Sequence, residues 1–293
     1  MTNSAQSGLQ FSEILKSSDQ FSNLQADIGL VSVDDLLQEI GIHPYAAAYP
    51  AELPEDVQQQ LLAKTDNNPA EFFVSALAAK LISAAQKAGE KPLKVRLAGA
   101  DSHQRLALLG SELETQEVNP LIGKRGVSRW ADKAFRKAFE LECEAIKRAR
   151  IAEGMANIEL VIPFVRTFSE SATAIDLLAE QGLCRGANGL RVHLLAELPA
   201  NALMAEKFLQ YFDGLVVDID QLAQFALGLD QTHPSLEYLH DDQNEAVLAL
   251  IDHALKAASS TNKPCDVVSH YINKAPNLQL WLLEHNVSKV ITQ

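Results

Sequence analysis

No stretch of the sequence approaches the roughly 18 apolar residues that a bilayer-spanning helix needs, which excludes a helical membrane protein. Cysteine is scarce: Cys143, Cys184 and Cys265 are three in number and widely spaced. They form no metal motif, and an odd count argues against a disulfide scaffold, so reduced structural thiols are expected. Positive charge is in the minority, and the formal net charge is −13. Nonspecific attraction to nucleic acid or to an anionic membrane is therefore disfavoured, although a local pair of arginines can still grip a small anion. The first 25 residues are polar, rich in Ser and Gln, without the basic start and apolar core of a secretion signal. A cytoplasmic location is the expectation. No internal repeat breaks the chain.

What is present is an ordinary globular composition, 47% hydrophobic and 22% charged. Short β-branched runs alternate with longer amphipathic ones. The strand candidates are Ile28–Val31, Leu93–Leu97, Arg125–Val127, Ile158–Pro163, Leu190–Ala196, Gly214–Asp218, Asp266–Ser269 and Ser288–Ile291. Helical spacing is clear between them, as in Phe135, Phe139, Cys143 and Ile146, which recur at three or four residues. Parallel strands need crossover helices, and a closed sheet leaves no edge. The expectation is an α/β fold, a (β/α)8 TIM barrel over 27–293, with residues 1–26 as a polar tail or docking segment. The connection from about Asp34 to Lys91 holds two helical stretches around the turn-rich TDNNPA and reads as a helical insertion after the first strand.

Such barrels carry their sites at the C-terminal ends of the strands, where the loops converge. Residues expected there are Arg96, Arg125, Arg166, Glu197, Asp218, Asp220, Ser269 and His270. Two arginines at neighbouring strand ends suit a carboxylate or phosphate, which guanidinium grips with paired hydrogen bonds. They would equally serve as bridges between loops. Glu197 with Asp218 or Asp220 could hold Mg²⁺, or could be solvated rim carboxylates. His193, four residues before Glu197, reads as a hydrogen-bonded core histidine, and His43 as structural.

At these segments the chain resembles phosphoenolpyruvate (PEP) synthase and, more distantly, other PEP-utilising enzymes. The stretches that carry the resemblance are GIHPYA, NPLIGKRGVSRW, FELECEAIKRAR, NIELVIPFVRT, AELPANALMAEKFLQYFDG and LGLD, in the family's order. The resemblance implies a barrel that binds pyruvate or PEP with Mg²⁺, supplied by separate ATP-binding and phosphohistidine domains for which the barrel leaves no room. It also implies a homodimer. Arg96 and Arg125 match arginines that hold the substrate's phosphate or carboxylate, and Glu197 matches a metal carboxylate.

The same alignment exposes departures. The second metal Asp becomes Gln221, and the Asn before it becomes Asp220. The acid–base Cys becomes Val268, which has no ionisable proton. An Arg, a Lys and a second Arg become Ser32, Asp101 and Gln231, and a Glu becomes Asp34. His270 remains a possible proton carrier from the loop, against the alternative of a rim histidine. Mg²⁺ should bind weakly or not at all, with Glu197 and Asp220 as the remaining ligands. Lost cations should cost a dianionic phosphate more than a monocarboxylate such as pyruvate. The expected function is a synthase-like barrel that does not transfer phosphoryl groups by itself and binds a small oxo-acid or a protein partner. The alternative is a Mg²⁺-dependent enzyme acting on pyruvate, PEP or a related oxo-acid through a rearranged site.

Overall fold

The computed structural model describes residues 8–17 and 27–293. Eight parallel strands close into a barrel in chain order, confirming the expected α/β architecture. They are β1 Gln10–Leu15, β2 Asp27–Ser32, β3 Leu93–Arg96, β4 Ile158–Ile162, β5 Val192–Ala196, β6 Gly214–Asp218, β7 Cys265–Val268 and β8 Lys289–Thr292. Closure runs through β1, which pairs with β2 on one side and β8 on the other.

Two expectations fail here. Arg125–Val127 is not a strand: Arg125 lies in a loop and Val127 opens a short helix, Val127–Ala131. Gly126 between them has φ 54°, a left-handed conformation that breaks any strand. The missing strand is QFSEIL, Gln10–Leu15, inside the stretch expected to be a polar tail. Its alternation puts Ser12 and Ile14 on the barrel's inner face, but polar neighbours mask that period in the sequence. The remainder of that stretch, 1–7 and 18–26, lies outside the described residues.

The long helical insertion is present, now between β2 and β3, with helices Val33–Ile40, Pro44–Ala48, Glu55–Lys64 and Pro69–Ala88. The longest starts with Pro69 at its first turn, and the Asn68 side chain accepts from the Glu71 N–H, 3.4 Å. Phe73, Leu77, Leu81 and Ala84 recur at three or four residues and are buried. Without the false strand, the β3–β4 connection is a second long excursion, 97–157. Its first half folds over the C-terminal mouth and delivers Arg125 there. His43 stitches this excursion to the first insertion. Fully buried, it accepts the Tyr45 N–H on Nδ1, 3.1 Å, so its Nε2–H donates to Glu114, 2.9 Å. Arg129 grips the same carboxylate with two bonds, 2.8 and 2.6 Å.

The bore is filled in layers. Ile14, Leu30, Val161, Leu195, Val216, Val268 and Ile291 form an apolar middle layer. Below it, towards the N-terminal ends, lies an ionic layer. Lys94 of β3 pairs across the bore with Asp266 of β7 and approaches Glu159 at 3.7 Å. Glu159 also meets Nε2 of His193, 2.8 Å, which makes that histidine the hydrogen-bonded core residue expected. Removing one member of a buried ion pair leaves the others uncompensated. Lys94→Met should therefore lower unfolding free energy by about 3 kcal/mol in chemical denaturation at neutral pH.

Candidate functional site

Above the apolar layer, the C-terminal ends of the strands bring together most of the residues singled out from sequence. Ser32 ends β2 opposite Arg96, the last residue of β3. The Ser32 hydroxyl accepts from Arg96 Nε and Nη2, 3.2 and 2.8 Å. Asp34 stands 3.6 Å from Arg96 and 3.3 Å from Arg105, and its Oδ2 also accepts the N–H groups of Gly99 and Ala100, 2.8 and 3.0 Å. Burial opposes the Arg96 charge, but Asp34, Asp35, Glu197 and Asp218 outweigh it and raise its pKa. Arg96 is thus a cation already shared among carboxylates. Arg105, buried beside Asp34, escapes sequence reasoning, since nothing in its context distinguishes it from a surface arginine.

Arg125 comes from the loop and is 7% exposed. Its Nε donates to the Gly99 carbonyl, 3.0 Å, and its Nη1 to the Leu121 carbonyl, 2.8 Å. The guanidinium lies 4.1 Å above the centre of the Phe164 ring. Arg166 lies 4.5 Å from the same ring and donates to the Gly123 and Arg125 carbonyls, so it braces the Arg125 loop. That is the bridging role considered for strand-end arginines. Phe164 itself has φ 53°, a rare conformation for a bulky side chain. Its N–H donates to Glu197 Oε1, 2.7 Å. Sequence reasoning misses Phe164, because a positive φ in a residue other than glycine leaves no compositional trace.

Glu197 is 2% exposed and Asp218 4%. Burial raises both pKa values, and the Asp218 charge adds to the rise at Glu197 against the pull of Arg125. Asp218 caps the following helix, Ile219–Leu227, by accepting the Gln221 N–H, 3.0 Å. Asp220 accepts the His270 N–H on Oδ2, 2.6 Å, while its Oδ1 is buried without a partner. Burial, then the Asp218 charge, raises the Asp220 pKa. Gln221 is engaged too: its Oε1 accepts from Gln224 Nε2, 3.0 Å, and Gln224 Oε1 accepts the Gln231 N–H, 3.0 Å. The Gln231 side chain returns to the Asp220 carbonyl.

This donor set suits Mg²⁺ poorly. Hard cations want several convergent ionised oxygens. Here Glu197 is bonded to a backbone amide, Asp218 to a helix end, and Asp220 to the His270 amide. Among the described residues no group of three or more His, Cys, Asp or Glu side chains converges on a common point.

Val268 faces the bore, opposite Asp218 in the β6–β7 register, 1% exposed within the apolar layer. Cys265 stands three residues back, at the start of β7, and Ser269 is fully buried with its hydroxyl unpartnered. His270 is half-buried, with Nδ1 3.3 Å from Gln293 Oε1 just beyond the end of β8.

A closed barrel with arginines and carboxylates gathered at its C-terminal mouth is a (β/α)8 domain whose polar groups converge at the face where such barrels carry their sites. The family profile described as "PEP-utilising enzyme, PEP-binding domain" matches residues 29–282, and the chain belongs to that family. It is 36% identical over 269 residues to phosphoenolpyruvate synthase of Pseudomonas aeruginosa, covering 90% of this chain and 34% of that protein. With phosphoenolpyruvate synthase of Deinococcus radiodurans the identity is 38% over 267 residues, at the same coverage. The chain thus spans about a third of the length of these relatives. Its fold is shared with an HpcH/Hpal aldolase/citrate lyase family protein from Burkholderia cenocepacia, TM-score 0.51 at 14% identity, covering 98% of this chain and 88% of that one.

The buried acids have a measurable consequence. Glu142, which accepts the Ala98 N–H at 2.9 Å, has its pKa pushed up by burial to about 8. Acids raised in the folded state hold protons that the unfolded chain has released, so stability falls as pH rises from the unfolded value towards the folded one. Melting temperature should decline from pH 6 to pH 9. Glu142→Gln and Asp220→Asn, each keeping its acceptor, should flatten that decline and gain about 1–2 kcal/mol at pH 9.

Proposed function

We propose that this barrel binds a small monocarboxylate of the pyruvate type at Arg96 and Arg125 and does not by itself transfer phosphoryl groups. The observation that carries this reading is Val268, packed against aliphatic side chains at the position where the resemblance implies a proton-carrying thiol. An alkyl group neither gives nor takes the proton that enolate chemistry moves. Three further features support it. Where the resemblance implies a second metal carboxylate stands the neutral Gln221, bonded to the Gln224 side chain. Arg96 gives two of its three donor nitrogens, Nε and Nη2, to Ser32 and stands beside Asp34. Asp101 lines the mouth where the resemblance implies a cation. A dianion meets more repulsion in such a site than a monoanion does. Mg²⁺ is weakly held or absent on this reading, and homodimerisation and binding of a protein partner are further proposals of the same resemblance.

Calorimetry with pyruvate, oxalate and PEP, each with and without Mg²⁺, tests it, together with an assay for PEP formation from pyruvate and ATP. Expected are binding of pyruvate that Mg²⁺ changes by less than about three-fold, weaker binding of the dianion oxalate and of PEP, and no turnover. Gln221→Asp should strengthen Mg²⁺ binding by about ten-fold or more, because it returns an ionised oxygen donor. Turnover at enzyme-like rates sinks the proposal.

A second reading has one observation in its favour. His270 lies two residues beyond Val268, half-buried beside the acids of the mouth, where its ring could move a proton on a bound oxo-acid. Exchange of the pyruvate methyl protons with deuterated water, lost in His270→Gln, would establish it. An unchanged exchange rate in that variant removes it.

A further inference from the structure

A cleft of about 320 Å³ opens beside Arg125, between the β3–β4 excursion and the segment that follows the helix Ile219–Leu227. Its charges are arranged unlike those of an anion site. At one end stands Arg125, more than nine-tenths buried, with Nε and Nη1 spent on carbonyls and Nη2 donating to no group among the described residues. Asp101 and Asp230 also line the cleft. Asp101 is 8% exposed and bonded to the N–H and side-chain amide of Gln104, 3.1 and 3.3 Å. Asp230 takes the Thr232 N–H and hydroxyl on Oδ1, 2.9 and 2.6 Å, and those bonds lower its pKa, so it is ionised at neutral pH. Neither carboxylate has a cation within ion-pairing distance among the described residues. Arg125 is near enough to feel the Asp101 charge but does not pair with it. Gln221, Gln224 and Gln231 line the same cleft with neutral groups: the Gln221 and Gln224 side chains bond to each other, Gln224 accepts the Gln231 main-chain N–H, and the Gln231 side chain bonds the Asp220 carbonyl.

A buried guanidinium with an unused donor and unpaired carboxylates in one cleft are complementary to a molecule carrying both signs. We infer that this cleft binds a small amino-carboxylate, its carboxylate on Arg125 and its ammonium between Asp101 and Asp230. The inference rests on the carboxylate-binding reading above for Arg125 alone, since Arg96 does not line this cleft, and adds the ligand's second group. A phosphate ester fails on charge, since Asp101 and Asp230 would face its oxygens. A plain monocarboxylate leaves both acids unpaired. The amides of the floor accept or donate to a neutral linker without favouring either sign.

The test is calorimetry on the full chain with a graded series: propionate, butylamine, glycine, β-alanine, γ-aminobutyrate and 5-aminopentanoate, with pyruvate alongside. Expected is one amino-carboxylate that binds about ten-fold or more tighter than propionate and butylamine, with a maximum at one chain length. Asp230→Asn, whose side chain is partly exposed and whose fold is checked by circular dichroism, should reduce that preference to about three-fold or less. Arg125→Gln should abolish binding of propionate and of every amino-carboxylate in the series. Pyruvate bound with no preference for any amino-carboxylate overturns the inference and leaves the carboxylate-binding reading standing. A preference that survives in Asp230→Asn overturns it equally. Failure of every carboxylate to bind overturns both.

Discussion

The Pro163–Phe164 turn at the end of β4 is the constraint on which the mouth of this barrel depends. Phe164 sits at φ 53°, a backbone state that costs on the order of 1–3 kcal/mol and persists only when its surroundings hold it. Three contacts do so. Its amide donates to Glu197, its ring lies against Arg125 and Arg166, and the Arg125 loop presses on it from above. That approach needs glycine: a Cβ on Gly126 would stand 2.5 Å from the Pro163 carbonyl and 2.9 Å from the Phe164 Cβ. Gly99 presses on Pro163 from the β3 side in the same way, where a Cβ would meet the ring at 2.6 Å. One strained turn therefore fixes a cation from one excursion and a carboxylate from the next strand in a common frame.

Charge at the mouth follows from how that frame is populated. Arg96 and Arg125 face Asp34, Glu197 and Asp218, so the positive groups are offset within the protein before any ligand arrives. Burial then works against further ionisation, and the pKa values of Glu197, Asp218 and Asp220 rise in response. A site tuned for a dianion would keep its cations unshared and its acids few. Here the chain Gln221–Gln224–Gln231 supplies hydrogen bonds to the loop without adding charge.

Much of this is legible in the sequence because closed parallel barrels write a simple pattern: β-branched runs between amphipathic ones. Seven of the eight strands follow from it. The eighth escapes for a physical reason, since QFSEIL has an inner face shared between Ser12 and Ile14 and a hydroxyl carries no hydropathy signal. Arg125–Val127 reads as a strand because a glycine at positive φ is invisible to alternation. Within the site, Arg96, Glu197, Asp218 and Val268 can be placed because strand registry fixes them. Arg125 stands out by motif, yet its reach comes from a loop. Arg105 is illegible because its partner Asp34 is 71 residues away in the chain, and Phe164 because backbone strain has no pattern. The amide chain is illegible for another reason: it forms only once the segment after Leu227 turns back on its own helix.

The bore itself explains why a change at Val268 need not disturb the rest. Val268 belongs to a layer of seven aliphatic side chains, and a thiol and an isopropyl group occupy such a layer with similar ease. The ionic layer beneath it, Lys94 with Asp266 and Glu159 with His193, pins the strands' lower ends independently of the mouth. Packing therefore places no demand for an ionisable group at that position, and chemistry alone would. The mouth and the base are held by separate interactions, so the polar residues at the mouth are free to change while strand order, registry and the strained Phe164 turn stay as they are.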